Sequence, residues 1–80
     1  MEEKKYPELL KLKGKITEEK ETIGSLADKM GLDRNTVANK IKGKTAFDLV
    51  EMYEVAEILN IRSDEITDYF FINNSHNAKK

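Results

Sequence analysis

The sequence predicts an all-α domain of five helices. Three observations carry that prediction. Apolar residues recur at three- and four-residue spacing in successive segments, which places them on one stripe of a helix. A capping or turn-forming residue stands at most boundaries between segments: Thr22, Gly31, Asp33, Gly43, Asp48, Asn60 and Ser63. No run alternates with the period of a strand, and only Tyr69 to Ile72 bears a strand reading at all.

The first helix is expected over residues 7 to about 19. Pro7, the one proline, suits a first helical turn, and Leu9, Leu12 and Ile16 follow at helical spacing. Gly14 weakens this helix by about 1 kcal/mol relative to alanine. A close approach by another helix would explain it. Lys20 and Glu21 occupy the turn that follows. Thr22 caps the second helix, whose buried stripe is Ile23, Leu26, Ala27 and Met30. Gly31 ends that helix as a left-handed residue, and Leu32 plugs the turn. Asp33 caps the third helix, which runs to Ile41 or Lys42 and closes at Gly43.

The fourth helix has the clearest start. Asp48 and Glu51 have the spacing of a capping box, and Phe47 and Met52 that of a hydrophobic staple. Leu49, Tyr53, Ala56 and Leu59 are expected to face inward, and Glu51, Glu54 and Glu57 outward. Asn60 ends the helix. Ser63 is expected to cap a short fifth helix with Ile66, Tyr69 and Phe70. The domain spans 7–72, and the polar, aperiodic tail 73–80 is expected to be disordered.

Composition excludes several functions. There is no cysteine, and the single histidine, His76, lies in the tail, so no metal site is expected. No stretch approaches the roughly 18 apolar residues of a membrane span. MEEKKYPELL lacks the apolar core of a signal peptide, so a cytoplasmic location is expected. The carboxylates Glu51, Glu54 and Glu57 follow one solvated face, and Ser25, Ser63 and Ser75 have no base beside them in sequence. No enzyme, cofactor or small-molecule substrate is expected. The net charge is −1, but it is polarised. Arg34, Lys40, Lys42 and Lys44 fall in a stretch without acids. Asp48, Glu51, Glu54, Glu57, Asp64, Glu65 and Asp68 follow against Arg62 alone. A protein with one DNA-facing side has this distribution.

The informative segment is IGSLADKMGLDRNTVANKI, Ile23 to Ile41. It reads as two short helices joined by a tight turn. Ala27 is small where the helices cross, and Gly31 supplies a positive φ. Leu26, Met30, Leu32 and Val37 fill the wedge between them. This is a helix-turn-helix, in which the second helix enters the major groove of DNA.

The run LADKMGLDRNTVANKIKGKT resembles the lambda-repressor/Cro family of bacteriophage and bacterial regulators, the XRE type. Ala27, Gly31, Val37 and Gly43 fall at that family's mutual spacings. The continuation AFDLVEMYEVAEILNI is similar to small phage-type regulators of low-GC Gram-positive bacteria. The resemblance covers most of residues 8–71. It implies a lambda-repressor-like bundle of about five helices, double-stranded operator DNA as ligand, and a homodimer in the bacterial cytoplasm. Ile23 stands where the family usually carries a phosphate-binding glutamine at the start of the second helix, so that contact is expected to be missing and only partly replaced by Thr22 and the helix N-terminus.

The reading face follows from geometry. With Val37 inward, Ile41 shares its side, and Asn35, Asn39 and Lys42 fall about 140–160° away. Thr36 and Ala38 flank that face, and Arg34 stands in the first turn. Arginine bridges O6 and N7 of guanine, asparagine bridges N6 and N7 of adenine, and Ala38 or the Thr36 methyl can meet a thymine methyl. Arg34, Asn35, Thr36, Ala38 and Asn39 are thus the expected base readers. Lys40, Lys42 and Lys44 join Thr22 as expected phosphate contacts. Tyr69, Phe70, Phe71 and Ile72 form an apolar cluster that either seals the bundle or makes the dimer. The rival to a transcriptional regulator is a protein-interaction module on the same scaffold, an antirepressor or antitoxin component.

Overall fold

The computed structural model describes residues 5–71. Within them lie α1 Leu10–Glu18, α2 Ile23–Met30, α3 Arg34–Lys42, α4 Leu49–Leu59 and α5 Ile66–Phe70. A 3-10 turn, Ser63–Glu65, leads into α5. There is no strand among the described residues; Tyr69 and Phe70 belong to α5. Ile72 and the tail 73–80 lie outside them. No described helix is long and apolar enough to cross a membrane.

One core holds the helices together. α2 packs on α3 and α4, α1 on α3 and α5, and α4 on α5. Leu12, Leu26, Val37, Val55 and Leu59 meet at its centre without exposed surface, and Ile16 and Ile41 are nearly as enclosed. Each such burial contributes roughly 1.5–3 kcal/mol before chain entropy is counted. Ile23, Met30 and Leu32 are half-buried against the same core.

The first helix starts later than its sequence suggests. Pro7 lies outside it, and residues 7–9 belong to no helix. The amides of Lys5 and Tyr6 both donate to the Gly43 carbonyl at 3.0 Å, and that of Leu9 donates to the Ile41 carbonyl at 2.9 Å. The segment Lys5–Leu9 is therefore a strap across the C-terminal end of α3. Its amides satisfy carbonyls that a helix end leaves without partners. Gly14 also differs from expectation: a side chain there would meet nothing within 4 Å. No close approach requires the glycine. Gly14→Ala should therefore stabilise the fold by about 0.5–1 kcal/mol, seen as a rise of a few degrees in the thermal midpoint.

The turn into α2 uses Lys20 at φ 62, with Lys20 N donating to Thr17 O and Glu21 N to Ile16 O. Two carboxylates brace this corner. The Lys29 ammonium and the Ser25 hydroxyl hold the Glu21 carboxyl below the usual glutamate range. The Asn60 amide and Lys15 do the same for Glu19, tying the end of α1 to the end of α4.

The α2–turn–α3 unit forms as its caps require. Thr22 Oγ1 accepts from Ser25 N at 3.0 Å, and Ser25 Oγ returns the bond from Thr22 N at 2.9 Å. Gly31 is left-handed at φ 74, and Leu32 N donates to Ala27 O across the turn. Ala27 is buried where α2 packs on α3. Asp33 Oδ2 accepts from Asn35 N at 2.9 Å and starts α3.

α4 keeps its expected cap but turns a different face inward. Asp48 and Glu51 form the reciprocal box, and Phe47 and Met52 are both buried beside it. The inward stripe is Met52, Val55, Ala56 and Leu59. Leu49 and Tyr53, expected inside, are 61% and 56% exposed. The staple decides this: a buried Met52 rotates Tyr53, about 100° further round, toward solvent. Glu54 and Glu57 are exposed as expected, whereas Glu51 is half-buried. Ser63 is the first residue of the 3-10 turn rather than its cap, which is Arg62. The chain turns early because Ile61 is drawn into the core, its amide bonded to the Ala56 carbonyl.

Candidate nucleic-acid interface

α3 buries Val37 and Ile41 and leaves Arg34, Asn35, Thr36 and Lys42 exposed. Ala38 and Asn39 are half-buried at the edge of that face. Asn35, Asn39 and Lys42 share one side of the helix, opposite Val37. The Asn39 carbonyl accepts the amides of Gly43 and Lys44 and so closes the helix.

The cations of the domain divide into two groups. Lys11, Lys13, Lys15, Lys29, Lys40 and Arg62 are in ion pairs. Among the described residues Lys5, Lys20, Arg34 and Lys42 are in none. Arg34 and Lys42 are the two ends of α3. Lys5 stands beside its C-terminal end through the strap, and Lys20 lies two residues before the cap of α2. Lys44 is half-buried on the loop beyond α3 and has a partner of its own.

Arg34 is also connected to the start of α2. Its Cδ lies 3.8 Å, and Thr22 Oγ1 3.7 Å, from the point where a Gly24 Cβ would sit. The α2 N-terminus, Thr22 and Arg34 therefore occupy one corner. Its free amides and guanidinium have the character of an anion site. Two carboxylates stand next to it: Asp33, used as the α3 cap, and Glu21, bonded to Ser25 and paired with Lys29.

Lys40 is committed elsewhere. Its ammonium lies 3.2 Å from Glu51, donates to the Ala46 carbonyl at 3.0 Å, and sits over the Phe47 ring. Sequence reasoning counted it with the exposed lysines and did not single out Lys5 or Lys20. Lys5 is placed by pairing between distant parts of the chain, which leaves no local signal.

The aromatic cluster near the end of the chain is divided. Phe70 is buried, edge-on to Phe47 with centroids 5.5 Å apart. Tyr69 is half-buried with Lys11 over its ring. Phe71 is 52% exposed. It stands on the rim of an apolar groove of about 580 Å³ that opens between the strap, the α3–α4 loop and α5. Leu9, Phe47, Met52 and Phe70 line it. Ile72, the fourth member of the cluster, lies outside the described residues. The described residues hold no cluster of three or more histidines or carboxylates suited to a metal.

Fold and surface together define a small all-helical domain with a helix-turn-helix arrangement in α2 and α3. The chain belongs to the family described as "Protein of unknown function (DUF739)", whose model matches residues 7–73. A search of the curated proteins finds no match.

Proposed function

We propose that this protein is a sequence-specific DNA-binding transcriptional regulator of the lambda-repressor/Cro kind, acting by occupying an operator. One observation carries the reading. In a domain whose lysines are mostly neutralised by neighbouring acids, Arg34 and Lys42 are left without ion pairs at the two ends of α3. The polar side chains between them are compatible with base edges. In this reading Arg34, Asn35, Thr36, Ala38 and Asn39 read bases. Thr22, Lys42 and Lys44 bind phosphates, Lys5 and Lys20 add charge at either side, and Lys40 supports the helix from within. Two protomers present α3 to successive major grooves about 34 Å apart. Phe71 beside the apolar groove offers the dimer contact, because a projection next to a recess can exchange across a two-fold axis.

Selection from a random duplex pool tests the proposal. The expected outcome is a pseudo-palindromic site. Affinity for it should fall steeply with salt, by a log–log slope of about −0.9 per phosphate contacted. Lys42→Ala should weaken all duplexes alike and reduce that slope by about one, whereas Asn39→Ala should relax one base position in each half-site. No enriched site together with a flat salt response overturns the proposal. Phe71→Ser should shift the native mass toward the monomer, and an unchanged dimer mass excludes this surface. The protein-interaction reading has one observation in its favour. Leu49, Val50 and Tyr53 are exposed together at the start of α4, beside exposed Glu54. That patch would serve an antirepressor or antitoxin component, and a flat salt response is its signature.

A further inference from the structure

The side chain that the sequence offers as another phosphate contact is enclosed instead. Lys40 and Glu51 are 15% and 18% exposed at the side chain, so neither ion is fully solvated and each depends on the other. The pair joins two elements. Lys40 belongs to the last turns of α3, and Glu51 belongs to the capping box of α4. Glu51 Oε1 accepts from Asp48 N and lies 3.2 Å from the Lys40 ammonium, which donates to Ala46 O. The loop from Gly43 to Asp48 is thus fastened at both ends. The Asn39 carbonyl holds Gly43 and Lys44, and the Lys40–Glu51 pair holds Ala46 and Asp48. Lys44, one of the proposed phosphate contacts, stands on that loop directly after Gly43, while Lys42 is the last residue of α3.

We infer that Lys40 and Glu51 are positioning residues: their ion pair sets the α3–α4 loop and, through it, where Lys44 meets the DNA backbone. The inference about DNA rests on the proposed function; the inference about the loop does not. It makes an acid favourable to DNA binding, which simple charge counting forbids. Removing Glu51's charge should strengthen binding if only the summed field matters. It should weaken binding if the pair positions the loop.

The test uses the full chain with Glu51→Gln, Lys40→Met and the double variant. Glutamine preserves the capping box, since its carbonyl oxygen can still accept from Asp48 N, so the charge pair alone is lost. Binding is measured on the duplex enriched from the random pool. Each single variant should bind roughly fivefold more weakly, and the double variant no more weakly than either single one, as coupled partners require. The salt slope should stay at the native value. In the same variants, amide exchange of Lys44 to Asp48 should quicken roughly fivefold under native conditions while that of the α2 core stays unchanged. Tighter binding by Glu51→Gln, or a slope reduced by about one in Lys40→Met, overturns the positioning role. Unchanged loop exchange overturns the fastening itself. Absence of duplex binding by the native chain, with quickened loop exchange in the variants, overturns the DNA reading and retains the fastening.

Discussion

Gly43→Ala should destabilise the protein by about 3 kcal/mol or more, against about 1–2 kcal/mol for Gly31→Ala. Both glycines end a helix in a left-handed conformation, at φ 99 and φ 74. An alanine pays the same kind of steric cost at either position, because its Cβ crowds the following carbonyl. The surroundings separate them. A Cβ on Gly31 would meet nothing within 4 Å. One on Gly43 would fall 2.2 Å from the Tyr6 carbonyl oxygen and 3.3 Å from that of Pro7. Those atoms are backbone and cannot rotate aside. Either α3 loses its closing turn or the strap leaves, and the strap takes three hydrogen bonds and the burial of Leu9 with it. Thermal melts of the two variants, compared with the native protein, decide the matter. The difference between them should be of the order of 5–10 °C for a domain of this size. If the two variants melt together, the strap contributes nothing through its contact with Gly43.

The same comparison shows how far the sequence could be read. Thr22, Gly31, Asp33, Gly43 and Asp48 each act within about four residues of themselves, and the boundaries they mark in the sequence are those of α2, α3 and α4. Local signals also placed Val37 and Ile41 inside and Asn35 and Lys42 outside, whereas Asn39, expected on the same exposed face, is half-buried. Three features needed the tertiary structure. The strap depends on pairing between Lys5–Leu9 and the far end of α3, so Pro7 reads as a helix start until Gly43 is brought beside it. α4 carries two overlapping apolar stripes, 49/53/56/59 and 52/55/56/59, and helical period alone does not choose between them. The staple residue Met52 held the answer: with Met52, Val55, Ala56 and Leu59 inside, Tyr53 falls about 110° from the middle of that stripe. Lys40 reads as one more surface lysine, since its spacing cannot reveal that Glu51 arrives from the next helix. Gly14 is the opposite case: a residue that invites a tertiary explanation has none, and its cost to α1 is simply borne by the fold.

At the first turn of α3, neighbouring substitutions should move DNA affinity in opposite directions. Arg34→Ala should lower affinity for the selected duplex by about 1–3 kcal/mol, roughly 5- to 150-fold, and relax the preference at one base position. Arg34→Lys should recover little of it, because an ammonium cannot reproduce the planar fork that bridges O6 and N7 of guanine. Asp33→Ser should tighten binding at low salt. Serine still accepts from the helix amide, so α3 keeps its cap, while a negative charge next to the phosphate backbone is removed. The gain should fade as salt screens it, with a Debye length of about 10 Å at 0.1 M. Titrations of the three variants at two salt concentrations test both halves. The structural reason for expecting so much of Arg34 is its stem, which rests against Gly24 and keeps the guanidinium near the α2 N-terminus without an acidic partner. The adjacent Asp33 carboxylate is spent on the Asn35 amide rather than on Arg34. An unneutralised guanidinium beside a helix N-terminus has no ion pair to break on meeting an anionic groove. If Asp33→Ser leaves affinity unchanged or weakens it, that end of α3 does not face the DNA, and the orientation of the helix in the groove has to be reversed.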